Sequence, residues 1–248
     1  MSKQNKIVSK ACLTTLIGLA SVLPTIANAD DFYFKPYVGF GIENRHMDFK
    51  KNYGNGFFKK NQLNYIPFVG VDLHENLALE MGYQLSKKMN YDKKLVEGDY
   101  LFGEYVDDVQ SGYRTRGFYK MKGFNLDAIG KYPVFCDTTF VFARVGVKFA
   151  KLKLEHDTYQ DAAGIPTPAA STTVKASKVI PRLGLGLDHQ VYADESMGDL
   201  GIRLNTIWEK TSAIKIRKFT DSDLQGEPVL QPKLKNSISY GMDLYWKF

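Results

Sequence analysis

Apolar residues alternate with polar or small ones, at a period of two, in eight stretches of the chain. In VFARVGVKF (141–149), Val141, Ala143, Val145, Val147 and Phe149 fall on one side, and Arg144, Gly146 and Lys148 on the other. The same rhythm runs through 32–42, 64–73, 77–85, 124–132, 179–191, 200–208 and 237–248. Successive side chains of a strand point to opposite faces, so each stretch predicts a strand with one oily face. Short connections follow the second, fourth and sixth strands, at 74–76, 133–139 and 192–199. Long polar ones follow the others, at about 43–63, 86–123, 150–178 and 209–236. Tight turns at one end and long loops at the other describe an antiparallel up-and-down meander. No Gly/Pro-rich linker divides it, so a single domain over residues 30–248 is expected.

Which way the oily face points decides the class. A soluble barrel turns it inward, a membrane barrel outward. Glycines crowd the other face, among them Gly39, Gly41, Gly70, Gly82, Gly184 and Gly186, as a narrow interior requires. The oily face ends in aromatics such as Phe32, Tyr83, Tyr132, Trp208, Trp246 and Phe248, the arrangement of an interfacial girdle. The oily stretches have the roughly nine to eleven residues of a tilted strand crossing lipid. The expected fold is therefore all-β, an eight-stranded antiparallel up-and-down transmembrane β-barrel. A closed barrel lets such strands cross with every backbone hydrogen bond made.

The N-terminus fits export. Lys3, Lys6 and Lys10 precede the apolar run Ala11–Leu23, and Ala27 and Ala29 offer small residues for cleavage. Residues 1–29 are expected to be a cleaved signal peptide. The whole chain has 33 Lys+Arg against 27 Asp+Glu; without the three signal lysines, 30 against 27 leaves only about +3. That excess is too small to point to nucleic acid. Only Cys136 remains after cleavage, so no internal disulfide is expected.

The terminal strand, with Tyr240, Met242, Leu244, Trp246 and Phe248 on one face, resembles the closing strand of bacterial outer-membrane barrels. EMGY (80–83), LDAIGKYPV (126–134), ARVG (143–146), GLDHQV (186–191) and LGIRLNTIW (200–208) resemble successive strands of the OmpA-like transmembrane domain. The resemblance implies an outer-membrane location and folding by the barrel-assembly machinery, with Trp246 and Phe248 as the assembly signal. The peptidoglycan-binding domain that family members often carry after the barrel is not expected here.

If Leu79 and Met81 face lipid, Glu80 faces the lumen. The same parity sends Asp127, Arg144, Asp188, Arg203 and Asp243 inward. Lone charges in so narrow an interior are costly, so Glu80, Asp188 and Arg203 are expected to pair, with Arg144 and Asp127 beside them. In the family a strand-four lysine joins the matching acids and arginine. That place is held here by Ile129, which leaves Arg203 as the shared partner of Glu80 and Asp188. The cluster is expected to be a static polar core rather than a gated pore.

Little points to catalysis. His156 beside Asp157 and Thr158 is the best candidate, but neighbours on a strand point opposite ways. His46 and His156 are expected in outer loops, His74 in a periplasmic turn. No Cys/His spacing suits a metal and no glycine-rich loop suits a nucleotide, so neither enzyme activity nor a cofactor is expected. The outer loops carry the remaining signal. Lys50, Lys51, Lys59 and Lys60 interleave with Phe57 and Phe58, and Lys215, Arg217 and Lys218 precede Phe219. Basic residues among aromatics suit contact with anionic lipid or an acidic partner. The expected role is surface attachment by a monomer, an adhesin with host-surface or matrix proteins as candidate partners. A structural or weakly conducting porin-like barrel is the runner-up, and a lipid-modifying enzyme a distant third.

Overall fold

A computed structural model describes residues 34–50, 60–94, 100–101, 104–105, 113–136, 138–162, 165–194, 198–216 and 232–248. The expected signal peptide lies outside the described residues, as do Lys51, Phe57, Phe58, Lys59, Arg217 and Lys218. The strands are β1 (Lys35–His46), β2 (Asn61–His74), β3 (Leu77–Ser86), β4 (Met89–Lys94), β5 (Tyr100–Leu101), β6 (Glu104–Tyr105), β7 (Tyr113–Cys136), β8 (Thr139–Ala162), β9 (Ile165–Asp194), β10 (Gly198–Glu209) and β11 (Ser237–Lys247).

Nine of them form one antiparallel sheet in the order β3-β2-β1-β11-β10-β9-β8-β7-β4, and β3 also pairs with β7, which closes it. β5 and β6 form a separate hairpin. The eight alternating stretches all lie largely in strands of this sheet. The ninth strand was not expected: β4 pairs with the early part of β7, Met89 opposite Tyr119, while β3 pairs with the later part, Glu80 opposite Asp127.

The oily face points outward. Val145 is 54% exposed, Met81 52% and Leu126 50%, while Glu80 is 4% and Arg203 0% exposed. With no apolar solvent outside, such a surface would be untenable, so this band is the lipid-facing one. Its inner face is filled by charges and by aromatic rings lying over cross-strand glycines. Tyr37 covers Gly70, Phe68 covers Gly39, Tyr245 covers Gly201 and Phe142 covers Gly186. A Cβ on Gly70 would come within 2.2 Å of the Tyr37 ring, and one on Gly201 within 2.1 Å of Tyr245. The abundance of glycine on this face is thus the space the rings occupy.

Strand length departs most from expectation. β7 and β8 run for 24 residues each and β9 for 30, so much of 86–123 and 150–178, expected as loop, is strand. His156 lies on β8 and His46 ends β1, neither in a loop. Beyond the lipid-facing band β7, β8, β9 and β4 continue as a rising wall whose sidedness is reversed. Tyr119, Met121, Leu152, Leu154 and Ile180 face inward and are buried, while Lys120, Lys122, Lys151, Lys153 and Lys175 face outward. The inner face of the wall is covered by Met47 and Phe49 after β1, by Ile214 and Ile216 after a short 3-10 turn (Thr211–Ala213), and by Leu234. A bridge between Phe49 and Leu234 ties two of these covering segments together.

Candidate functional site

Among the described residues, three places concentrate chemistry: the charged lumen, a buried histidine in the wall, and a basic cleft at the outer rim.

The lumen brings together the six charged side chains that parity sent inward, from six different strands. The Arg203 guanidinium donates to Glu80 through Nη1 at 2.5 Å and to Asp188 through Nε at 3.2 Å. Arg144 Nη2 lies 3.2 Å from Glu80, and its Nη1 3.6 Å from Asp127. Asp243 joins from β11, 3.5 Å from Arg144. Tyr245 donates its hydroxyl proton to Asp188 at 2.6 Å, and the Tyr37 hydroxyl donates to Glu80 at 3.3 Å. The Arg203 guanidinium also sits over the Tyr245 ring, 4.3 Å from its centroid. Every one of these ions is buried, so each depends on its partners for the solvation it has lost.

Sequence reasoning missed part of the network. Ile129 does face the lumen, buried in an apolar group with Tyr37 and Phe142. The strand-four lysine is nevertheless present one inward position later, as Lys131. Its Nζ lies 3.3 Å from Asp72 and 3.4 Å from Asp188. Arg203 does bridge Glu80 and Asp188, and Lys131 is a second cation beside Asp188 that the expected cluster did not include. The parity rule does place Lys131 inward, since 127, 129 and 131 share a face, but it does not say which acids the lysine meets. A second tier lies nearer the outside. Arg45, Lys148 and Arg182 converge on Glu209, Arg45 at 3.0 Å and Arg182 at 3.7 Å, and Arg182 also holds Asp127 at 3.0 Å. Gln84 accepts from both Arg45 and Lys148. Ion pairs thus run without interruption from Asp72 up to Arg45, and the apolar inner face of the wall stands beyond them.

His156 points inward and is 4% exposed, while Asp157 faces the other way, as alternation requires. The Nδ1 of His156 meets the Tyr91 hydroxyl and, at 3.1 Å, the Thr115 hydroxyl. Burial pushes the imidazole pKa down to about 4, against the upward pull of Asp157, so the ring is neutral at pH 7. Burial raises the Tyr91 phenol well above its usual range. This is a satisfied core histidine hydrogen-bonded to Tyr91, whose ring lies nearly parallel to it with centroids 6.1 Å apart. Among the described residues no group of three His, Cys, Asp or Glu is placed to hold a metal. His46 pairs with Asn61, and His189 faces outward beside the Thr139 hydroxyl.

At the rim, the segments that cover the wall leave a cleft of about 330 Å³. Lys50, Lys215 and Lys233 line it with Ser212, over Ile214 and Leu234. Lys50 and Lys215 were expected as outer contacts; Lys233 was not. Lys60, also expected, lies instead 3.6 Å from Asp48. At the end of the chain, Phe248 is exposed and donates its backbone N–H to Pro36, while Trp246 is half-buried.

The fold and its sidedness have a counterpart among known families. The family described as the OmpA-like transmembrane domain matches residues 27–205. The chain belongs to that family. As an OmpA-like protein it is a bacterial outer-membrane β-barrel. Its shape is similar to that of Neisserial surface protein A, at 9% identity and a TM-score of 0.45, covering 86% of this chain and 97% of that one. It is also similar to Ail, the attachment invasion locus protein of Yersinia pestis, in complex with the heparin analogue sucrose octasulfate. There the identity is 7% and the TM-score 0.42, with 87% and 97% of the two chains covered. A third likeness is to CarO of Acinetobacter baumannii, at 12% identity and a TM-score of 0.40, covering 84% and 97%. No curated protein matches by sequence.

Proposed function

We propose that this OmpA-like chain is a surface-attachment protein: an eight-staved barrel that holds a rigid outer sheet and a basic rim away from the membrane. β3 and β4 run end to end along β7, so they count as one stave and the barrel as eight. The single observation that carries the attachment reading is the wall. Residues 150–162 of β8, at roughly 3.3 Å each, add roughly 40 Å of strand beyond the lipid-facing band. A barrel built only to span would end in tight turns. A projecting sheet with its own apolar core supports presentation to something outside the cell. The rim cleft supports an acidic group on that partner, because three lysines and no carboxylate are among its described lining residues. Host-surface and matrix proteins bearing acidic patches are the partners of that chemistry. Folding by the barrel-assembly machinery, with Trp246 and Phe248 as its signal, belongs to the same reading. The test is binding of refolded protein to immobilised matrix and cell-surface proteins. Replacing Lys50, Lys215 and Lys233 together by alanine should weaken binding about tenfold with the barrel still folded; equal binding by that variant and the parent overturns the rim's role.

A second reading is favoured by Arg203, which bridges Glu80 and Asp188 and could exchange between them to open a narrow conducting path. It expects an altered single-channel current for Arg203→Ala in a planar bilayer. The apolar inner face of the wall, stacked over the lumen charges, weighs for the static core.

A further inference from the structure

The base of the wall carries two rows of lysine on its outer face. Lys122 stands directly opposite Lys151 in the cross-strand register, with Ser177 next in the row. One step higher, Lys120, Lys153 and Lys175 stand opposite one another on β7, β8 and β9. Like charges directly opposite on neighbouring strands repel, and alternation would have allowed any polar residue at these positions. Lys153 is bound by Glu155. Among the described residues, Lys120, Lys122, Lys151 and Lys175 have no carboxylate partner. The fold therefore gathers these cations on one face with no carboxylate among the described residues to balance them.

Height above the membrane says what balances them. The last lipid-facing row on these strands is Phe124, Phe149 and Val179, with Phe124 54% and Phe149 45% exposed. The two lysine rows follow at two and four residues. At roughly 3.3 Å per residue on a strand tilted by roughly 45°, they stand about 5 and 9 Å above that row. The headgroup layer on each side of the hydrocarbon core is about 5–8 Å thick, so the lower row stands within it and the upper row at its outer edge. Phe118 adds an apolar plate on the same face, with Lys88 Nζ 4.2 Å and Lys153 Nζ 5.4 Å from its ring centroid. Lysine stems reach along apolar surface and place their ammonium groups at the headgroup level.

We propose that the outer face of β7–β9 is a lipid-binding site, in which Lys120, Lys122, Lys151 and Lys175 bind the phosphate groups of outer-leaflet lipid headgroups. The site is annular and selects on headgroup charge, with the acyl chains lying against Phe124, Phe149 and Val179 below. It stands whether or not the rim attaches to anything, because it uses no residue of the rim cleft.

The test uses the full mature chain refolded in phosphatidylcholine bilayers. These contain trace phosphatidylglycerol or phosphatidylcholine, each spin-labelled on the acyl chain, and electron paramagnetic resonance measures the protein-restricted fraction of each. The parent should restrict the phosphatidylglycerol probe about threefold more strongly than the phosphatidylcholine probe. Replacing Lys120, Lys122, Lys151 and Lys175 by glutamine should bring the ratio close to one, while arginine at the same positions keeps it. A comparison variant with Lys50, Lys60, Lys215 and Lys235 changed to glutamine removes the same net charge elsewhere and should keep the ratio. Heat-modifiable gel migration checks that each variant is folded. An unchanged ratio in the first variant overturns the proposal, and so does an equal fall in the comparison variant. If inorganic phosphate abolishes the selectivity, and chloride at the same ionic strength does not, the site belongs to a soluble anion and the lipid assignment fails.

Discussion

β8 contains two proteins' worth of logic on one strand. Over 141–149 its outward residues are Val141, Ala143, Val145, Val147 and Phe149, and its inward ones include Arg144 and Lys148. Over 150–156 the outward residues are Lys151, Lys153 and Glu155, and the inward ones Ala150, Leu152, Leu154 and His156. The register with β7 and β9 continues unbroken through the change. No bulge or slip reverses the faces; what changes is the medium outside. In lipid, burial of charge inside and display of apolar groups outside is the stable arrangement. In water the hydrophobic effect restores the ordinary one. A membrane boundary is thus written into the strand as an exchange of polarity between positions 149 and 151.

The comparison can be broken at either half. The largest effect is expected in the lumen. Arg203→Ala leaves Glu80 and Asp188 buried with fewer partners and should cost about 3–5 kcal/mol in urea unfolding from lipid vesicles. Next comes the lipid face. Val145→Lys places a charge amid the outward band and should cost about 2–4 kcal/mol, although Lys151, three rows higher on the same side of the same strand, is native. A cost near zero at 145 would mean that this face is in water.

A smaller effect sharpens the wall. The His156 pKa is lower in the folded chain, at about 4, than in the unfolded one, at roughly 6.5, so the unfolded chain binds the proton more readily. The neutral ring's contribution is full above pH 6.5 and is lost as pH falls from 6.5 to 4. It amounts to at most about 3 kcal/mol. Protease accessibility of the wall should rise over that window and should stay flat in His156→Phe, while the lipid-embedded band resists throughout. The smallest effect belongs to the exposed pairs of Asp92 with Arg114 at 2.5 Å and Arg116 at 3.0 Å. Asp92→Asn should cost less than about 1 kcal/mol and should vanish in high salt, because solvent screens such pairs.

The alternation of 141–149 and its seven counterparts was enough to read strands, sidedness and the inward parity of Glu80, Asp127, Arg144, Asp188 and Arg203. The wall carries the same period of two with its polarity exchanged. YKMKGF (119–124) and AKLKLE (150–155) also alternate, but with lysine on the face that is apolar below, so they pass for polar connection. β4 was harder to see, since MNYDKK offers only Met89 and Tyr91 as an apolar face.

By itself the sequence determined what a period of two can carry: strands, the lipid-facing side, and which charges share the interior. Periodicity assigns a face and carries no information on height around a closed sheet. Only the tertiary structure decided which inward charges meet, that Lys131 reaches Asp72 and Asp188, and that five lysines from three strands align in two rows at the base of the wall. Those contacts are fixed by the stagger between strands and by closure of β3 on β7, which bring together residues distant along the chain.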